Sequence, residues 1–165
     1  MKKGWLLLVL IAFALPGCGP SPQKPGGRFK GQAAPDFALP FFQEPGRKFS
    51  LSATAGQTPV LLVFWATWCP PCVEEIPQLN EIQKRYEPGT LKIAAVNVGQ
   101  SHEALLEFAR EHDMNYDILM DEAGEVAGRY GVAGLPVAVL LAKGGEIIYY
   151  GFTLPRIEEY LPPSH

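Results

Sequence analysis

The 165-residue chain has no excess of positive charge: 14 lysines and arginines stand against 17 aspartates and glutamates, a formal net charge of −3. A polyphosphate backbone finds no cationic field there, which sets nucleic-acid binding aside. Cysteine is scarce, with three in the whole chain, too few for the disulfide framework of a small secreted scaffold. Their odd number leaves at least one that cannot pair within the chain. The apolar run at residues 5–15 is too short to cross a ~30 Å hydrocarbon core. What is present is material for one core: 47% hydrophobic, 11% aromatic and 19% charged residues argue for a single folded domain and against disorder.

The short run has a different reading. Lys2 and Lys3 precede it and Leu15-Pro16-Gly17-Cys18 follows it, the order of a cationic start, an apolar core and a cleavage site. Residues 1–17 are therefore expected to be a signal peptide. The last four residues resemble a bacterial lipoprotein cleavage box, which implies that Cys18 becomes the lipidated first residue of the mature protein. Pro16 departs from the small residue usual at its position. An uncleaved anchor, or an ordinary signal peptide with an incidental cysteine, is the competing reading. Residues 19–31 hold three prolines and four glycines. Together with Cys18 they are expected to form a flexible tether, residues 18–31, with a reach of about 40 Å if extended. A folded domain over residues 32–165 would then work outside the cytoplasm, close to a membrane.

Within that domain, residues 34–39 and 48–51 read as a pair of short strands. Residues 60–65, Val-Leu-Leu-Val-Phe-Trp, are continuously apolar, as in a strand covered on both faces. From Pro71 the period changes: Val73, Ile76, Leu79, Ile82 and Tyr86 share one helical face. Residues 91–98 form another strand, Ser101 caps a helix that buries Leu105, Phe108 and Ala109, and a strand at 116–120 and a helix at 122–130 follow. Residues 137–141 and 146–150 flank a glycine-bearing hairpin turn, and 155–161 make a brief terminal helix. Alternating strands and helices closed by a hairpin predict an α/β fold, a mixed central sheet with helices on both faces.

The chemistry centres on Trp68-Cys69-Pro70-Pro71-Cys72, where the buried strand turns into the amphipathic helix. Two cysteines spaced by two residues at a helix start can close a small disulfide ring, and the helix end favours a thiolate on the first. Cys69, nearer the strand, is expected to be the more exposed and is assigned the attack on a partner's disulfide; Cys72 resolves the mixed disulfide. A zinc site would need four ligands, and Cys18, His102, His112 and His165 do not supply them at ligand spacing, so no metal is expected. A purely structural disulfide would close too small a loop to stabilise much. Peroxide chemistry would call for a differently supported lone thiolate. The three histidines are assigned no catalytic role.

The run from Val60 to Cys72 resembles the active-site strand and helix of the thioredoxin superfamily. More narrowly it resembles the TlpA/ResA-like family of membrane-anchored extracytoplasmic thiol-disulfide oxidoreductases. Ala34-Pro35-Asp36-Phe37 is similar to that family's N-terminal strand. Glu75 and Pro77 complete Cys-x-x-Cys-x-x-Glu-x-Pro, Gly134-Leu135-Pro136 is similar to the loop that holds the superfamily's cis-proline, and residues 101–120 form a helix-strand insertion that plain thioredoxins lack.

The resemblance implies a thioredoxin-like fold and a role for each matched residue. Pro136, if cis, lies opposite Cys69 and leaves the Leu135 backbone to pair with an extended client, with Trp68 as contact surface. Pro77 kinks the helix. Val63 stands where thioredoxins commonly carry a buried aspartate, so acid/base help must come from elsewhere, and Glu75, if partly buried, would have a raised pKa and take the proton of Cys72. The implied partners are protein thiol or disulfide clients, apocytochrome c or copper-site proteins among them, and a membrane thiol-disulfide electron donor. No cofactor is expected beyond the redox-active disulfide. Two rivals remain: an oxidant of secreted thiols, and a module in which Cys69 and Cys72 bind a soft ion such as Cu(I).

Overall fold

The structure, a computed structural model, describes residues 29–87 and 89–161. The signal peptide, Cys18 and most of the tether lie outside the described residues. The folded part already includes Phe29, three residues before the expected start at Gln32: its ring stacks on Tyr150 with centroids 5.0 Å apart. Gly31 N–H then donates to Ile147 O at 2.8 Å.

Two short strands, β1 (Ala38–Pro40) and β2 (Lys48–Ser50), pair antiparallel as expected. A helix the sequence reading did not foresee, α1 (Leu51–Ala55), follows at once, its first turn capped by Ser50 Oγ accepting from Ala53 N–H. Five residues are too few to display a helical period, so only the cap could have marked it.

The main sheet is built on β3 (Val60–Trp65), whose six residues are all buried. It pairs in parallel with β4 (Lys92–Val98), which pairs in parallel with β5 (Asp117–Asp121). On its other side β3 pairs antiparallel with β6 (Val137–Leu141), which pairs antiparallel with β7 (Ile147–Gly151). The order is β5-β4-β3-β6-β7, a mixed sheet with β3 at its centre. Gly144 and Gly145 make the β6–β7 turn at φ 106° and 86°, a region closed to most L-residues.

Alternation along β3 divides the core in two. Leu61, Val63 and Trp65 face a cluster with Leu79, Ile82 and Leu105; Leu62 and Phe64 face one with Phe49, Leu51, Val126 and Tyr130. Helices α2 (Pro70–Glu74), α3 (Ile76–Arg85) and α4 (His102–Glu111) cover the first face. Helices α1 and α5 (Glu125–Arg129), with the β1–β2 pair, cover the second. The single helix expected from Pro71 to Tyr86 is thus two. Pro77 has no N–H for the carbonyl of Val73 and its ring crowds that carbonyl, so the chain breaks at Glu75, which ends α2 and begins α3. The terminal helix shrinks to one 3₁₀ turn, Ile157–Glu159.

One buried carboxylate joins the far side of the sheet to its reactive end. Asp121 accepts from Val126 N–H at 3.2 Å and Ala127 N–H at 2.8 Å, capping α5 in place of the side chain that Gly124 lacks. Its main-chain oxygen also accepts from Gly99 N–H at 3.0 Å, fixing the chain just after β4. Among the described residues no helix is long and apolar enough to cross a membrane.

Candidate active site

Cys69 and Cys72 are joined in a disulfide, with Cα atoms 5.3 Å apart. Two elements hold the pair. A turn closes the end of β3, with Cys69 N–H donating to Ala66 O at 3.2 Å; Cys69 then serves as the N-cap of α2, its carbonyl accepting from Cys72 N–H at 3.0 Å and Val73 N–H at 3.2 Å. The strand thus delivers the first cysteine and the helix carries the second.

Exposure corrects one expectation. Cys69 is no more open than Cys72: the two are 4% and 3% accessible, inside the same apolar cluster as Trp65, with Leu135 packed against it. In the closed ring the Cys69 sulfur is bonded to Cys72 within the apolar cluster. The exposed position at this tip belongs to Trp68, at 68%. Trp65 is core, as expected, and its ring meets Phe108 at 5.7 Å.

The Leu135–Pro136 peptide bond is cis and Pro136 is buried. It precedes β6, whose Val137 pairs with Phe64 of β3, so the proline loop stands at the same end of the sheet as the cysteines. The end of β7 arrives there too, since Gly151 pairs with Ala138, and the next residue, Phe152, is a second large exposed apolar side chain at 48%.

Glu75 sits at the break between α2 and α3, half-buried. Burial pushes its carboxyl above the usual carboxylate range, against the pull of a backbone hydrogen bond from Leu154. Its Oε2 is enclosed with no hydrogen-bond partner. Burial, and then the nearby Glu75 charge, raise the Tyr116 hydroxyl. Val63 and its β4 neighbour Ala95 are both apolar and buried, so no acid or base reaches the dithiol from those two positions.

The sequence reading missed a polar cluster beside the turn. Asn97 is fully buried in a strand whose other buried residues are apolar. Its Nδ2 donates to Gln100 Oε1 at 3.0 Å, and Gln100 in turn holds Thr67, two residues before Cys69. One signal was present: an asparagine inside an otherwise apolar run, which needs a partner when buried. Where that partner lay was not legible. Two of the histidines are bonded elsewhere, His102 Nε2 lying 3.0 Å from Phe42 O and His112 stacking on Phe108 at 3.8 Å, and His165 lies outside the described residues. Among the described residues no three metal-binding side chains gather.

A buried disulfide at a strand-to-helix turn, at the same end of a mixed five-stranded sheet as a cis-proline loop, defines a thioredoxin-like thiol-disulfide oxidoreductase. Residues 30–150 match the AhpC/TSA family. The chain is 33% identical over 134 residues to the thiol-disulfide oxidoreductase ResA of Bacillus thuringiensis, covering 79% of this chain and 76% of that protein. Its fold matches a thiol:disulfide interchange protein, DsbE, from Chlorobium tepidum at a TM-score of 0.69 and 29% identity, over 79% of this chain and 90% of that one. It also matches an exposed lipoprotein thioredoxin of Streptococcus pneumoniae at a TM-score of 0.64 and 26% identity, over 74% and 92%. The chain belongs to the AhpC/TSA family and, within it, to the ResA type of thiol-disulfide oxidoreductase.

Two outcomes follow from this geometry. Pro70 and Pro71 occupy the first helical positions and have no N–H, while Cys72 N–H is spent on Cys69 O, so the helix start offers the Cys69 sulfur few donors. Replacing both prolines by alanine is expected to lower the Cys69 pKa, read from the pH dependence of alkylation; an unchanged or higher value contradicts this. For Glu75, a folded pKa above the unfolded one means that the native state binds the extra proton. Its contribution is therefore lost as pH rises through the window between the two values. Glu75→Gln is expected to raise the melting temperature relative to wild type more at pH 7.5 than at pH 4; an equal difference at both contradicts it.

Proposed function

We propose that the protein works outside the cytoplasm as a reductant of disulfides in exported proteins, with Cys69 as the attacking thiol and Cys72 as the resolving one. The reduced Cys69 thiolate attacks a client disulfide; a Cys69–client bond forms and the other client sulfur leaves as thiolate. Cys72 gives its proton to Glu75 and attacks Cys69 Sγ, which closes the Cys69–Cys72 disulfide and releases the second client thiolate. Two electrons pass to the client, and a membrane thiol-disulfide donor restores the dithiol. The disulfide is the only redox group this cycle uses.

The observation that carries this reading is the closed Cys69–Cys72 pair at the β3–α2 turn, within a rim made by Trp68 and the Leu135–Pro136 loop. Glu75 supports it: a carboxyl raised by burial lies three residues beyond Cys72 in the chain, as a proton acceptor for that thiol should. The backbone of Leu135 is assigned to pair with an extended client segment. Apocytochrome c, with its pair of haem-binding cysteines, is the client class proposed first, and copper-site cysteines the second. Lipidation at Cys18, with residues 19–28 as tether, would keep the domain near its electron donor; the likeness to an exposed lipoprotein thioredoxin supports that placement.

The test is Cys72→Ala in cells. Without the resolving thiol, Cys69 is expected to remain in mixed disulfides that release their partners under reducing conditions and identify the clients. Recovery of the same covalent partners with Cys69→Ala/Cys72→Ala would overturn the mechanism.

A further inference from the structure

We propose that Gln100 is a positioning residue for the attacking thiol, a clamp that holds the 66–69 turn in its reactive shape while the disulfide is open. The amide grips Thr67 at two points. Gln100 Oε1 accepts from Thr67 N–H at 2.8 Å, and Gln100 Nε2 donates to Thr67 Oγ1 at 2.7 Å. Asn97 Nδ2 donates to the same Oε1 at 3.0 Å, which fixes the amide the right way round. Thr67 and Trp68 are the central residues of the turn closed by Cys69 N–H to Ala66 O. Holding Thr67 therefore sets where Cys69 begins α2 and where Trp68 projects.

Three features indicate that this contact does more than fill space. Asn97 is wholly buried, and its Oδ1 has no partner, so the strand bears the cost of a half-satisfied amide whose one described bond aims Gln100. The chain reaches Gln100 through Gly99 at φ 69°, a left-handed conformation that glycine adopts without penalty, with its N–H anchored on Asp121 O. Finally, the ring itself restrains Cys69 only when oxidised. Once the S–S bond is broken, Cys69 keeps its main-chain turn and helix bonds, and the Gln100 grip is the side-chain restraint that the redox change leaves intact.

The proposal rests on Cys69 as the attacking thiol. If Cys72 attacks instead, Cys69→Ala keeps the fast reaction and Cys72→Ala loses it, a result that the Gln100 variants do not produce. The experiment uses the full chain carrying Cys18→Ser, reduced, and follows its oxidation by a small aromatic disulfide at a pH high enough that the rate has reached its plateau. Gln100→Ala is expected to lower the plateau rate constant about tenfold, a fraction of the ~100-fold that a 1 Å misplacement can cost. Gln100→Glu retains an acceptor for Thr67 N–H and Asn97 Nδ2, and Thr67 Oγ1–H can turn to donate to it, so this variant is expected to recover the rate to within about twofold. Gln43→Ala serves as the structural control. Gln43 bridges Tyr116 O and Ile118 N–H with the same pair of bonds at the start of β5, two strands from β3, and its loss is expected to lower the melting temperature without changing the rate. A wild-type plateau rate in folded Gln100→Ala, an equal rate loss in Gln43→Ala, or no recovery in Gln100→Glu would each overturn the clamp.

Discussion

The reactive end depends on one constraint: β3 is locked at the centre of the sheet, buried on both faces and paired along both edges, and it ends four residues before Cys69. A one-residue slip would swap the side chains of its two faces between two differently packed cores and mispair the ladders on both edges. The turn that follows is thereby fixed in space, and the first cysteine with it. The second cysteine comes from α2 and is itself buried on the same sheet face, where the next helix, α3, packs through Leu79 and Ile82. Bringing two sulfurs together is thus a consequence of packing on both sides of the turn, and it needs no special property of the cysteines themselves.

Around this junction the fold sets up a contrast between closed and open surface. Both cysteines are buried, yet Trp68, the residue just before Cys69, is exposed, and Phe152 stands open just past the end of β7. The surface around the disulfide thus offers apolar side chains, while the sulfurs lie beneath it. Beneath the surface lies a half-buried carboxyl at the helix break, with one oxygen unpartnered. Pro77, by breaking the helix at Glu75, sets that carboxyl at the break, where the proposed acid/base role needs it. Such a group weakens the native state at neutral pH, in line with the stability that active sites give up for function.

Much of this was legible in the chain. The apolar run at β3, the helical spacing of Ile76, Leu79 and Ile82, the Ser101 cap and the hairpin glycines follow from local pattern, the place of the cis-proline follows from the family resemblance, and each lies where it is expected. What failed was what local pattern cannot carry. Helix α1 is too short to show a period. Nearness to the strand end suggests an open Cys69, whereas its side chain lies in the disulfide within the apolar cluster. Asn97, Gln100 and Thr67 gave no signal of their alliance, since the bonds that join the last two span 33 residues. Hydrogen bonds of that reach depend on strand register, which is settled only when the sheet assembles.

The central claim is that the Cys69–Cys72 pair gives electrons to clients. Its most direct test is the redox equilibrium of the purified full chain against glutathione, with the fraction of closed pair read at each ratio of reduced to oxidised buffer. A reduction potential at or below about −220 mV is the result this reading requires. A value near about −120 mV, the range of a strong thiol oxidant, would contradict it.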